Sequence, residues 1–101
     1  MPLVKVAALE KFPPGSLTEV ASADNRYAVC NVDGELFALD GFCPHAGGPL
    51  GQGALHGDIV ACPWHAWEFN CRTGACEDAG DLKLDTFPVK VEGGLVFVEA
   101  P

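Results

Sequence analysis

The chain has 101 residues and a formal net charge of −8, from 6 basic and 14 acidic side chains. Apolar residues make up 49 % of the sequence and charged residues 20 %, which excludes a disordered chain and predicts a single domain over residues 1–101. An acidic chain repels phosphate groups, so nucleic acid and anionic membranes are poor partners and basic protein surfaces are better ones.

Short β-prone segments follow one another along the chain, separated by turn residues. The predicted strands are residues 3–7, 17–20, 27–32, 35–39, 55–61 (broken by a turn at Gly57-Asp58), 66–69, 86–91 and 95–99. Asp33-Gly34 and Gly93-Gly94 predict tight hairpins, because both turn positions favour positive φ. Helical periodicity is hard to find, and strands at roughly 8–12-residue spacing predict an all-β sandwich or small barrel.

The N-terminal sequence and the cysteine content predict a cytoplasmic location. No basic region precedes an apolar stretch, and no apolar run reaches the roughly 20 residues that span a bilayer. Five cysteines are an odd number, so a complete disulfide framework is not expected. Cysteines in such a chain more often bind metal or take part in redox chemistry.

Two short motifs each place a cysteine and a histidine beside a proline. They are Cys43-Pro44-His45 and Cys62-Pro63-Trp64-His65, with sixteen residues between His45 and Cys62. Thiolate and imidazole together suit zinc, iron or an iron–sulfur cluster. Structural zinc sites usually group like ligands, whereas each motif here supplies one of each. The mixed order favours a two-metal centre, and a zinc-stabilised interaction module is the alternative from another class.

The pattern C-x-H…C-x-x-H resembles the Rieske [2Fe–2S] signature, in which two histidines replace two cysteines on one iron. The similarity covers nearly the whole chain, from the first loop at 43–50 through 55–69 to the final hairpin. The resemblance implies an all-β Rieske fold of stacked antiparallel sheets, with a cluster-binding subdomain formed by two loops. It also implies one [2Fe–2S] cluster per chain.

The resemblance also implies which side chains hold and surround this cluster. Cys43 and Cys62 would ligate the inner iron, and His45 and His65 the outer, more exposed iron. Four further residues are expected around the cluster: Gly47, Gly48, Trp64 and Trp67. We interpret the two glycines as points of close backbone approach to the cluster. The two tryptophans are interpreted as core aromatics or as shields that keep the cluster dry.

The implied function is one-electron transport by a ferredoxin, an electron-transfer component rather than an enzyme. The chain has no room for the mononuclear-iron domain of Rieske oxygenases, and it carries no flavin or nicotinamide motif. The resembled family passes electrons from a ferredoxin reductase to a terminal oxygenase, commonly a ring-hydroxylating dioxygenase. We expect both as transient, electrostatically steered partners. A small Rieske subunit of an NAD(P)H-dependent nitrite reductase is the alternative.

The sequence departs from the high-potential Rieske proteins of respiratory complexes. Gly48 and Trp64 stand where those proteins have a second cysteine pair, and Trp67 and Phe69 stand where they have hydroxyl side chains near the cluster. Hydrogen bonds to the cluster sulfurs stabilise the added electron, so their absence lowers the potential. We therefore expect a midpoint potential in the lower half of the Rieske range.

Three cysteines lie outside the two motifs. Cys30 alternates with apolar neighbours in a predicted strand and is interpreted as a small buried hydrophobe. Cys71 and Cys76 flank a predicted turn, where a disulfide between them is geometrically feasible but opposed by a reducing compartment.

Overall fold

The computed structural model describes residues 3–22, 25–42, 48–64, 67–77 and 82–99. The strands within these ranges are β1 (Leu3–Ala8), β2 (Leu17–Ser22), β3 (Asn25–Val32), β4 (Glu35–Asp40), β5 (Ala54–His56), β6 (Ile59–Ala61), β7 (Glu68–Asn70), β8 (Thr86–Phe87), β9 (Val89–Glu92) and β10 (Leu95–Glu99). Two short 3-10 helices span Leu9–Lys11 and Leu50–Gln52. Among the described residues, no helix is long and apolar enough to cross a membrane.

The strands form three antiparallel sheets. The terminal sheet has the order β1-β10-β9, the central sheet β2-β3-β4-β8, and the small sheet β5-β6-β7. The predicted hairpins are present, with φ of 53° at Asp33 and 94° at Gly34, and of 59° and 77° at Gly93 and Gly94. The all-β prediction is therefore confirmed.

The predicted strand over residues 86–91 is wrong in one respect, because the structure divides it at Pro88. Strand β8 pairs with β4 in the central sheet, and β9 pairs with β10 in the terminal sheet. Proline has no N–H group to donate to a strand ladder. The chain therefore leaves one sheet and enters the next at this residue.

Strand β3 lies at the centre of the stack, and its residues 27–32 are all buried. Side chains alternate between the two faces of a strand. Ala28 and Cys30 belong to a core shared with the small sheet, which we call the cluster-side core. Tyr27 and Val29 belong to a core shared with the terminal sheet, which we call the base core. The central sheet thus supports the small sheet, from which one of the two candidate loops arises.

Candidate metal centre

The first candidate loop is closed at its neck by backbone pairing. Phe42 and Pro49 form an antiparallel bridge. The Leu50 N–H donates a hydrogen bond to the Gly41 carbonyl oxygen at 2.9 Å. These contacts fix the two ends of a segment that holds the first Cys-His motif.

The second candidate loop connects β6 to β7 and is closed in the same way. The Cys62 N–H donates to the Trp67 carbonyl oxygen at 2.8 Å. Cys62 is therefore the first residue of the loop, directly after the end of β6, and only 2 % of it is exposed. A buried position at the end of a paired strand holds this thiol in place.

The two loops meet at Gly48, the residue on which the first loop ends. A Cβ atom added there would lie 2.8 Å from the Trp64 Cγ and 3.0 Å from the Cys62 Sγ. No side chain fits in this gap without displacing the second loop. Gly48 is thus brought against Cys62 and Trp64, which lie far from it along the chain, by a contact that requires glycine.

This arrangement suits an iron–sulfur cluster. The Cys62 sulfur is a soft donor, shielded from water and placed where the loops converge. In the sequence, each loop carries one cysteine and one histidine. Two thiolates and two imidazoles are the donor set of a Rieske centre.

Some of the predicted site residues are described and others are not. Cys62, Gly48, Trp64 and Trp67 lie within the described residues. Cys43, His45, Gly47 and His65 lie outside them. Gly48, expected to approach the cluster closely, packs in the structure against the sulfur of Cys62 and the ring of Trp64.

The structure distinguishes the two tryptophans, for which the sequence allowed the same two interpretations. Trp67 packs partly buried against the cluster-side core, whereas 50 % of Trp64 is exposed. A second exposed aromatic, Phe42, occupies the neck of the first loop and is 46 % exposed. Phe42 was not among the residues predicted around the cluster, although a large aromatic residue directly before the first cysteine was a signal for it.

The feasible disulfide between Cys71 and Cys76 does not form, since both are free thiols. The reason is register. Cys76 bridges to Phe69, and Asn70 donates its N–H to the Ala75 carbonyl oxygen, so Cys71 lies beyond the residue opposite Cys76. Cys30 is fully buried, as predicted, and its thiol contacts that of Cys71.

Comparisons with known sequences indicate one family. The Rieske [2Fe-2S] domain family matches residues 2–88. The biphenyl dioxygenase ferredoxin subunit of Pseudomonas sp. (strain KKS102) is 34 % identical over 101 residues, which cover 98 % of this chain and 93 % of the relative. The ferredoxin component of biphenyl 2,3-dioxygenase from Rhodococcus jostii (strain RHA1) is 36 % identical over 100 residues, with coverage of 98 % and 94 %.

Solved structures agree. The Sphingomonas yanoikuyae B1 ferredoxin matches with a TM-score of 0.88 at 31 % identity, over 99 % of this chain and 100 % of that one. A chain in the oxygenase–ferredoxin complex of carbazole 1,9a-dioxygenase matches with a TM-score of 0.87 at 32 % identity, over 95 % and 91 %. A protein provisionally described as a nitrite reductase small subunit is 23 % identical with a TM-score of 0.82, which shows the fold alone. The chain belongs to the Rieske [2Fe–2S] family and binds one [2Fe–2S] cluster.

Proposed function

We propose that this chain is the ferredoxin component of a dioxygenase system, which takes single electrons from a ferredoxin reductase and delivers them to a terminal oxygenase. The observation that carries the proposal is the meeting of the two Cys-His loops at Gly48, beside an exposed tryptophan. Full-length similarity to ferredoxin components of biphenyl and p-cumate dioxygenase systems supports it. Relatives of this type carry electrons and leave catalysis to other subunits.

We propose the ligand set by residue. Cys43 and Cys62 would hold the inner iron, and His45 and His65 the outer iron. When bound, the [2Fe–2S] cluster takes up and releases one electron. Neutral imidazoles replace two negative thiolates, so the chain makes reduction easier than four cysteines would. Gly48 supports this assignment because its missing side chain lets the first loop reach the Cys62 sulfur.

The test of the ligand set is metal analysis of variants. Cys62→Ser and His65→Ala should each reduce iron and acid-labile sulfide more than tenfold and abolish the red-brown colour, because each removes one of four ligands. Cys76→Ala is the matched control, since Cys76 is also a buried cysteine but lies outside both loops. A colourless wild-type protein with one zinc per chain would instead support the zinc module.

We propose that partners dock at the tip where the loops meet. Phe42, at the neck of the first loop, and Trp64, against Gly48, are exposed, and aromatic side chains are enriched at protein interfaces. Phe42→Ala should raise the KM of the oxygenase for this carrier about tenfold, as hot-spot residues do. Val91→Ala is the matched control, because Val91 is 47 % exposed but lies in the terminal sheet. Equal KM values for the two variants would contradict docking at the tip.

Long-range charge should steer these encounters. A net charge of −8 attracts basic partner surfaces, and this attraction is screened by salt. The second-order rate constant of electron transfer should therefore fall as ionic strength rises. A rate constant that is independent of ionic strength would argue against steering.

The midpoint potential tests the environment of the cluster. Phe69 is fully buried and Trp67 partly buried, and neither offers a hydroxyl to a cluster sulfur. We expect a value in the lower half of the range of about −150 to +300 mV. Redox titration by circular dichroism measures it, and a midpoint above about +200 mV would contradict the proposal.

We also propose that residues 1–101 form one Rieske domain located in the cytoplasm. Strand β1 pairs with β10, so the segment after residue 88 belongs to the same sheet as the start of the chain. Five cysteines are an odd number and no disulfide joins Cys30, Cys71 and Cys76, an arrangement that suits a reducing compartment. Cell fractionation tests the location, and limited proteolysis tests the single domain.

A further inference from the structure

Two buried cysteines outside the cluster loops meet where the central sheet packs against the small sheet. Cys30 lies within β3, and Cys71 directly follows the last residue of β7. Both are fully buried in the cluster-side core, and a hydrogen bond joins their thiols. The pair therefore lies at the contact between the central and small sheets.

Contacts of the neighbouring residues also indicate where Cys30 and Cys71 lie, apart from the hydrogen bond between their thiols. Cys30 is directly opposite Phe37 in the β3–β4 register, so the two side chains share one face of the sheet. The guanidinium carbon of Arg72 lies 5.0 Å from the centre of the Phe37 ring. Arg72 also pairs with Glu35 at 3.3 Å. Cys71, next to Arg72, is thereby anchored over the Cys30 face of the central sheet.

Cys71 is one of the residues that line a groove at the protein surface. The groove has a volume of about 490 Å³ and is lined in part by Cys71, Arg72, Phe37 and Phe87. Arg72 is partly exposed at its rim and is held by surface ion pairs, which are weak. The Cys71 side chain is fully buried, so hydrogen peroxide reaches its sulfur only when residues lining the groove, such as Arg72, move.

The two thiols differ in acidity. The hydrogen bond from Cys30 lowers the pKa of Cys71, and Arg72 acts in the same direction against burial and the nearby Asp58. The same hydrogen bond, together with burial, raises the pKa of Cys30. Cys71 is therefore the nucleophile of the pair, since the thiolate is the reactive form, and Cys30 retains its proton.

We propose that Cys30 and Cys71 form a second redox site, which hydrogen peroxide converts into a disulfide between the central and small sheets. The Cys71 sulfur attacks one peroxide oxygen, the O–O bond breaks, and a sulfenic acid and one water form. The Cys30 sulfur then attacks the Cys71 sulfur and releases a second water. Two thiols lose two electrons and two protons, and one peroxide becomes two waters. A dithiol reductant reverses the reaction.

The disulfide would stabilise the fold. It closes a long loop between β3 and the end of β7, which restricts the unfolded chain. We expect the Tm of the oxidised holoprotein to exceed that of the reduced holoprotein by at least about 5 °C. This inference does not depend on the proposed electron-carrier function.

Peptide mapping tests the proposal directly. The holoprotein is treated with stepwise additions of hydrogen peroxide, its remaining thiols are alkylated, and it is cut after Glu, Lys and Arg. This digestion separates Cys30 in 27–35, the cluster cysteines in 36–68, Cys71 in 69–72 and Cys76 in 73–77. We expect a cross-linked product of 27–35 with 69–72, lighter by two hydrogens than the separate peptides and lost on reduction with dithiothreitol.

Variants and cluster measurements complete the test. Cys30→Ala and Cys71→Ala should abolish the cross-link and the rise in Tm, whereas Cys76→Ala, from the same core, should retain both. A cross-link of 69–72 with 73–77, or oxidised Cys71 without any cross-link, would overturn the proposal. Visible absorbance reports the cluster separately, so loss of cluster and failure of disulfide formation are distinguishable. The wild-type map decides the question even if a variant does not fold.

Discussion

The terminal sheet and the small sheet pack on opposite faces of the same central sheet, but they are specified in different ways. In the terminal sheet, β1 and β10 pair along most of their length, and Val96 and Val98 alternate into the base core. In the small sheet, the three strands have only three residues each. A strand of three residues makes few ladder hydrogen bonds, so this sheet needs other constraints.

Glycines at close contacts supply part of those constraints. A Cβ at Gly53 would overlap the Ala61 carbonyl oxygen, and one at Gly74 would overlap the Leu84 carbonyl oxygen. At Gly48, the missing side chain similarly lets the first loop pack against the second. The terminal sheet is therefore specified by hydrophobic alternation, and the small sheet by steric fit around the cluster loops.

The largest effect is expected from breaking this steric fit. Gly53→Ala should lower the free energy of unfolding by about 3 kcal/mol, because backbone atoms must move to admit the methyl group. Gly57→Ala is the control, since Gly57 has open space around it and only a positive φ of 63°. It should cost about 1 kcal/mol. Urea unfolding followed by tryptophan fluorescence measures both, and equal losses would refute the steric explanation.

The same substitution can be made at one valine in each core, which allows the two cores to be compared. Val60 in the cluster-side core and Val96 in the base core are both fully buried. Each change to alanine should cost about 2–3 kcal/mol through lost burial and a cavity. Only Val60→Ala should also accelerate cluster loss to a chelator, read from visible absorbance. Equal rates of cluster loss would mean that the two cores are coupled through the central sheet.

The smallest effect is expected from the buried hydroxyl of Tyr27 in β3. The Tyr27 hydroxyl is buried without a hydrogen-bond partner among the described residues. Tyr27→Phe should therefore be neutral or should stabilise by up to about 1 kcal/mol. Asn31 is the contrasting case, because its amide donates to the Phe12 carbonyl oxygen at 2.7 Å and accepts from the Gly34 N–H at 2.7 Å. Asn31→Ala should cost about 2 kcal/mol, and a similar loss in Tyr27→Phe would reveal a partner for the hydroxyl.

Much of the fold could be predicted locally. Asp33-Gly34 and Gly93-Gly94 form the expected turns because positive φ is a property of those residues and needs no distant partner. The break at Pro88 was missed even though the residue was visible. A proline interrupts the hydrogen-bond ladder of a strand, but the local sequence does not show that the chain then joins a different sheet.

The sequence by itself determined the all-β class, the turns and the two Cys-His motifs, since these depend on backbone preferences and ligand chemistry over a few residues. The tertiary structure decided that Gly48 touches Cys62, that Trp64 is exposed while Trp67 is packed, and that Cys71 meets Cys30 rather than Cys76. Such contacts join residues that are distant along the chain. They follow from how three sheets stack, and residue type alone does not encode that stacking.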